Sequence, residues 1–310
     1  MPCGFRVAFI QTGGNSMAIF TGAGVAIVTP FKEDETIDYE RLDELIDFHC
    51  ENGTDSIVIC GTSGEAATMT EREHMECVKF TVERTKGRIP VIAGTGSNCT
   101  KTAMELSREA ADYGVDGVLV VTPYYNKATQ KGLEEYYTTV GNSVDIPIIM
   151  YNVPGRTGTN IQPATAVKIA KSVDNIVAIK EASGDIGQVA TLAALTDGCL
   201  DIYSGNDDQV VPLLALGGKG VISVLSNVAP RETHDMVMKF LEGDVKGSLD
   251  IQLKYMDVIH NLFSEVNPIP AKRAVAEMGY CRNIVRRPLT EMEEDHAQVL
   301  IQSMKEVGIL

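Results

Sequence analysis

Short apolar runs rich in Val and Ile alternate along the chain with longer amphipathic stretches. The runs are AGVAIVT (23–29), DSIVIC (55–60), PVIAG (90–94), DGVLVV (116–121), IPIIMY (146–151), NIVAIK (175–180), LDIYSG (200–205) and KGVISV (219–224). None of them alternates apolar with polar residues, so each reads as a strand buried on both faces, as in a parallel sheet. Between the runs, apolar residues recur at helical spacing. Residues 39–50, for example, place Leu42, Leu45, Ile46 and His49 on one face. Thr70-x-x-Glu73 is a capping box, and Pro163 and Pro230 stand where first-turn prolines belong. Eight strand–helix units over about 230 residues predict an α/β fold of the (β/α)8 TIM-barrel type. The alternative, an open doubly wound sheet, seldom runs to eight uninterrupted units.

Near residue 245 the strand pattern stops. Residues 246–264, 268–279 and 291–306 read as helices, punctuated by Pro268, Pro270 and Pro288, with Thr290-x-x-Glu293 as a second capping box. The expected organisation is a leader or extension over 1–16, a barrel over 17–244 and a C-terminal helical extension over 245–310. The N-terminal stretch MPCGFRVAFIQTGGNS contains only the short apolar run VAFI, too little for a signal-peptide core, and Met17 opens a sequence that reads better as a protein start.

Composition narrows the function classes. Lys and Arg number 27 against 42 Asp and Glu, a formal net charge of −15. That excess argues against nucleic acid as a partner, which demands a basic face, but a local basic site can still hold an anion. No apolar run approaches the roughly 18 residues of a membrane span. The seven cysteines are scattered without a C-x-x-C, which reads as reduced thiols and a cytoplasmic location. The five histidines are isolated from one another, so no metal site is expected.

In a barrel the chemistry belongs at the C-terminal strand ends and the loops after them. Lys180 ends the apolar run Ile176-Val177-Ala178-Ile179. Desolvation there would free its amine to attack a carbonyl and form a Schiff base, although a strand-end lysine can also simply snorkel to solvent. Gly61-Thr62-Ser63-Gly64 offers amides and hydroxyls ahead of a helix, suited to a carboxylate, or merely a flexible turn. Tyr124, Tyr125 and Tyr151 could be packing aromatics, and Arg156, in a Gly- and Pro-containing loop, could be a solvated charge. Gly94-Thr-Gly96 lacks the third glycine of a dinucleotide fingerprint, since Cys99 stands there. Gly217-Gly-Lys219-Gly lacks the spacing of a P-loop and reads as a helix-ending turn.

At these residues the sequence resembles the lysine-dependent, pyruvate-binding aldolase family of (β/α)8 barrels. The motifs are G-T-S-G-E (61–65), V-T-P-Y-Y-N (121–126), Y-N-V-P-G-R-T-G (151–158), I-K-E-A-S-G (179–184) and N-P-I-P-A-K (267–272), and the likeness runs from Met17 to Leu310. Tyr125 and Arg156 point to the branch that condenses pyruvate with aspartate-4-semialdehyde in lysine and diaminopimelate biosynthesis. The resemblance implies that Lys180 forms the Schiff base, and that Thr62, Tyr151 and Tyr125 relay protons. Tyr125 would cross a tight dimer interface within a homotetramer. It also implies that the Thr62 and Ser63 amides hold the pyruvate carboxylate, that Arg156 binds the aldehyde substrate's carboxylate, and that Gly205 and Ile222 line the pocket. No cofactor is implied. Of the residues at which lysine inhibits some members, His74, Asn98 and Tyr124 match, whereas Ala66, Glu71 and Thr102 do not, so lysine inhibition is expected to be weak or absent. Rival enzymes are an N-acetylneuraminate lyase or a 2-keto-3-deoxy sugar-acid aldolase, which share Lys180 and Tyr151 in kind but not Arg156 and Tyr125. A non-enzymatic binding barrel would lack Lys180 or Tyr151.

Overall fold

Eight parallel strands close on themselves in chain order, β1 pairing with both β2 and β8. They are β1 (Gly22–Ala26), β2 (Ser56–Ile59), β3 (Val91–Gly94), β4 (Gly117–Val121), β5 (Ile148–Asn152), β6 (Ile176–Glu181), β7 (Asp201–Ser204) and β8 (Gly220–Ser223). The computed structural model describes residues 18–310; the expected leader, residues 1–16, lies outside the described residues. Each predicted apolar run yields one strand whose ends differ from it by up to three residues; β1, β5 and β6 each reach one residue past the run at one end.

Alternation along the strands sorts side chains into two cores. Residues such as Val25, Ile57, Val118, Val120 and Ile148 pack outward under the helices. Val58, Ile92, Leu119, Ile149, Ala178, Tyr203 and Ile222 fill the barrel interior. Both faces are covered, which is why no strand alternates apolar with polar in sequence. Phe20, ahead of β1, stacks on Tyr203 with ring centroids 4.4 Å apart, and the Tyr203 hydroxyl donates to the Phe20 carbonyl at 2.6 Å.

The outer layer comprises α1 (Tyr39–Glu51), α2 (Glu71–Thr85), α3 (Thr100–Tyr113), α4 (Gln130–Gly141), the single turn α5 (Pro154–Thr157), α6 (Pro163–Ser172), α7 (Ile186–Thr196), α8 (Val210–Ala215) and α9 (Pro230–Leu241). Thr70 and Glu73 form the expected capping box at α2, and Pro163 and Pro230 open α6 and α9. Gly217, at φ +90, turns the chain out of α8. No described helix is long and apolar enough to cross a membrane.

The chain then continues as α10 (Val245–Lys254), α11 (Met256–Asn261), α12 (Ile269–Glu277) and α13 (Glu294–Val307). Two expectations need correction here. The helix expected over 246–264 is two helices, broken at Tyr255, whose buried ring is packed into the core. Nor does Thr290 open the last helix. The cap residue of α13 is Glu293, with no side-chain cap bond. Met292 is buried in the core and the Glu293 amide donates to the Glu265 carboxylate at 3.0 Å, so packing holds residues 290–292 out of the helix. Tyr255, Val258, Ile269 and Val275 join the same apolar core as the barrel's outer face.

His49, on α1, is fully buried with Nδ1 3.0 Å from the Thr54 hydroxyl, and burial lowers its pKa from 6.5 to about 3. The unfolded chain takes up this proton near pH 6.5, the folded chain only near 3. Its contribution is therefore intact above pH 6.5 and is lost as pH falls below it. Between pH 7 and pH 5 the expected loss is about 2 kcal/mol. Urea melts at both pH values should show it, and His49→Gln should flatten the difference.

Candidate active site

Register and parity bring Lys180 and Tyr151 together. Tyr151 on β5 pairs with Lys180 on β6, one step above the pair Ile149 and Ala178, which fill the barrel interior. Inward-facing positions repeat every second residue, so Tyr151 and Lys180 cap that interior at the C-terminal strand ends. Lys180 is 5% exposed, and its Nζ lies 4.4 Å from the centre of the Tyr151 ring. The amine is thus at the floor of a mouth rather than snorkelling from it.

A cavity of about 60 Å³ opens over this amine. Thr62, Ser63, Tyr151, Arg156, Lys180 and Gly205 all line it. Thr62 is exposed and Ser63 buried, on the loop after β2. Arg156 extends from α5, exposed at the mouth, and donates to the Asn267 carbonyl at 3.1 Å. Gly205 follows β7 and donates its amide to the Glu181 carbonyl at 2.7 Å. A Cβ built on Gly205 would stand 2.5 Å from Ala182 Cβ and 3.0 Å from Lys180 Cε. Only a residue without a side chain lets β7 pass this close to the lysine. Ile222 is buried in the barrel interior, and from the end of β8 it is Val224 that lines the cavity.

Tyr125 is elsewhere. It follows β4 in the left-handed region, φ +70, and is 92% exposed. A tyrosine held at that φ is strained, and the strain is maintained while its ring meets only solvent in the single chain. Tyr124 and His74 line a second cavity of about 440 Å³, which shares Gly61, Thr62, Tyr151 and Arg156 with the first. His74, on α2, is buried with Nε2 2.8 Å from the Gly94 carbonyl; burial lowers its pKa, partly opposed by that hydrogen bond. The Asn98 carbonyl accepts from Asn126 at 2.9 Å, and Asn98 does not line either cavity.

Several supporting groups had no individual assignment from sequence. Asn267 lines the Lys180 cavity and donates from Nδ2 to the Ser63 hydroxyl at 3.0 Å. Lys272 Nζ, fully buried, pairs with Glu65 at 2.8 Å and donates to the Thr29 carbonyl at 2.6 Å. Burial lowers the Lys272 pKa, and Glu65 opposes that shift. Glu65, at φ +56, also accepts from the Arg286 amide at 2.9 Å. Asp207 is buried and accepts from the Val224 and Leu225 amides at 2.9 Å each, and burial raises its carboxyl pKa. Asn267 and Lys272 lay in a recognised motif, yet Ser63 and Glu65 are some two hundred residues away, and no local spacing marks such a contact.

The profile of the dihydrodipicolinate synthetase family matches residues 19–307. A protein from Lachnoclostridium phytofermentans named 4-hydroxy-tetrahydrodipicolinate synthase is 63% identical over 294 residues, 95% of this chain and 100% of that one. One of the same name from Clostridium tetani is 53% identical over the same shares. The crystal structure of dihydrodipicolinate synthase from Aquifex aeolicus superposes with a TM-score of 0.92 at 45% identity, covering 94% of this chain and 99% of that one. The chloride-inhibited dihydrodipicolinate synthase from Acinetobacter baumannii, complexed with pyruvate, superposes with a TM-score of 0.92 at 41% identity, over 94% and 99%. With the match running through every strand of the barrel and on into α13, this chain belongs to the dihydrodipicolinate synthetase family.

Proposed function

We propose that this chain is a Schiff-base-forming lyase that condenses pyruvate with L-aspartate-4-semialdehyde to give 4-hydroxy-tetrahydrodipicolinate, the first committed step of lysine and diaminopimelate biosynthesis. The observation that carries the reading is Lys180, buried at a strand end beside Tyr151 and sharing one cavity with Thr62, Ser63 and Arg156. The names of its relatives and the pyruvate complex of the Acinetobacter protein support it.

The chemistry follows from that arrangement. Lys180 Nζ attacks the pyruvate keto carbon, and the carbinolamine loses water to leave a protonated imine. The cation draws electrons from the methyl group, which gives up a proton and leaves an enamine. The enamine carbon attacks the aldehyde carbon, and the resulting alkoxide takes a proton. The amine of the second substrate then attacks the imine carbon, and Lys180 departs as the free amine when the ring closes. Thr62, Tyr151 and Tyr125 serve as the proton relay, a task hydroxyl groups can share in a site without a strand-end histidine. The Thr62 and Ser63 amides hold the pyruvate carboxylate, and Arg156 holds that of the aldehyde. Gly205 contributes backbone to the pocket wall.

Tyr125 acts in the neighbouring subunit's site, across the tight dimer interface of a homotetramer. Its exposure and left-handed backbone support that role, because a strained, solvent-facing tyrosine has nothing to do in a lone chain. Of the described residues, 18–244 form the catalytic barrel and 245–310 a helical extension that buttresses it. The protein works in the cytoplasm, in keeping with free cysteines at the described positions.

Borohydride reduction in the presence of pyruvate should leave one pyruvate-derived 1-carboxyethyl group on the Lys180 nitrogen, read by peptide mass. Lys180→Ala should lose both the adduct and at least about a thousandfold in turnover in a coupled assay. Gly205→Ala overpacks the β6–β7 gap against Lys180 and should lower kcat/KM by about tenfold or more, with a lower Tm. L-Lysine should inhibit only weakly, and an IC50 below millimolar would contradict the readings of Ala66, Glu71 and Thr102.

A further inference from the structure

Asn267 sits between α11 and α12, outside the barrel strands, and is 5% exposed. Its two polar arms point to two loops on different sides of the mouth. The side-chain Nδ2 donates to the Ser63 hydroxyl at 3.0 Å, on the loop after β2. The main-chain carbonyl accepts from Arg156 at 3.1 Å, on the turn after β5. All three residues line the cavity over Lys180. One residue of the C-terminal extension thus touches both residues assigned above to carboxylates, Ser63 at its hydroxyl and Arg156 at its guanidinium.

The energetics argue against a packing role. The remaining side-chain atom, Asn267 Oδ1, is buried without a hydrogen-bond partner among the described residues. A buried acceptor left unpaired is destabilising. A leucine, branched at the same carbon though bulkier, would leave no acceptor unpaired. What leucine cannot do is donate to Ser63. The local violation of polar satisfaction therefore falls where a site needs a fixed geometry.

From this we infer that Asn267 is a positioning residue that couples the two carboxylate subsites, setting the Ser63 loop and Arg156 in a common geometry. The inference rests on the functional reading above. Pyruvate binds through the Ser63 loop, and the aldehyde's carboxylate binds through Arg156. A residue joined to both fixes the distance between the reacting carbons when both substrates are held.

The test compares Asn267→Ala with Asn267→Leu, each alone and combined with Ser63→Ala. Loss of one neutral hydrogen bond corresponds to about a fivefold effect. Both single variants should raise KM for pyruvate by about that factor, and leucine should not rescue alanine. In the Ser63→Ala background the same Asn267 substitutions should change the pyruvate KM by less than about twofold, because the shared bond is already gone. A smaller rise in KM for aspartate-4-semialdehyde should accompany them and vanish in an Arg156→Ala background. Rescue by leucine, or full additivity with Ser63→Ala, would overturn the inference in favour of packing. Borohydride trapping with pyruvate on the same proteins keeps the two readings apart. An adduct at Lys180 in the wild type and in the variants shows a folded, competent site. Its absence from the wild type would defeat the function rather than the coupling.

Discussion

The ion pair between Glu65 and Lys272 is the constraint on which the mouth of this barrel depends. Both side chains are completely buried, 2.8 Å apart. Removing either partner would strand a charge in the interior, an outcome that destabilises by several kcal/mol in proteins generally. The pair joins the loop after β2 to α12, and Lys272 also donates to the Thr29 carbonyl after β1. The Arg286 amide closes the other side of Glu65, and its guanidinium spans the Glu35 and Thr68 carbonyls and Glu73. The C-terminal helices are therefore wired into the first two strand ends, and the Thr62–Ser63 amides hang from that framework.

The consequence for chemistry is rigidity where it is needed. The lysine rises from a strand paired on both sides, and its amine lies against the Tyr151 ring. The groups that would grip anionic substrates come from three segments, the β2 loop, α5 and the Asn267 turn, and hydrogen bonds join them to one another. Asp207 holds the backbone after β8 through two amides, which shapes the wall at Val224. Preorganised donors of this kind cost no reorganisation when charge develops on the substrate. They also answer the acidic exterior. A net charge of −15 offers no general attraction to anionic substrates, so attraction has to be local.

Much of the fold and part of the site were legible in the sequence. The eight strands were, because a strand buried on both faces must be apolar throughout. Lys180 was legible only in company: a charged residue ending such a run can snorkel to solvent, and the polar residues at the other strand ends marked it as part of a site. The early start assigned to the last helix was not, because Thr290-x-x-Glu293 satisfies a local rule while Met292 burial and the Glu265 contact override it. Tyr255 likewise breaks what periodicity reads as one helix.

Sequence by itself determined the repeat and the strand order and singled out Lys180 as a candidate, since a charged residue closing an apolar run stands out locally and parallel strands need crossover helices. Only the tertiary structure decided which distant groups meet. Ring closure brought β8 against β1, and strand parity turned Tyr151 and Lys180 inward together. Packing of the C-terminal helices set Asn267 on Ser63 and Lys272 on Glu65. Gly205 shows the difference most plainly. In sequence it is one glycine among many at a strand end, and in space it is the position where any side chain would collide with the lysine.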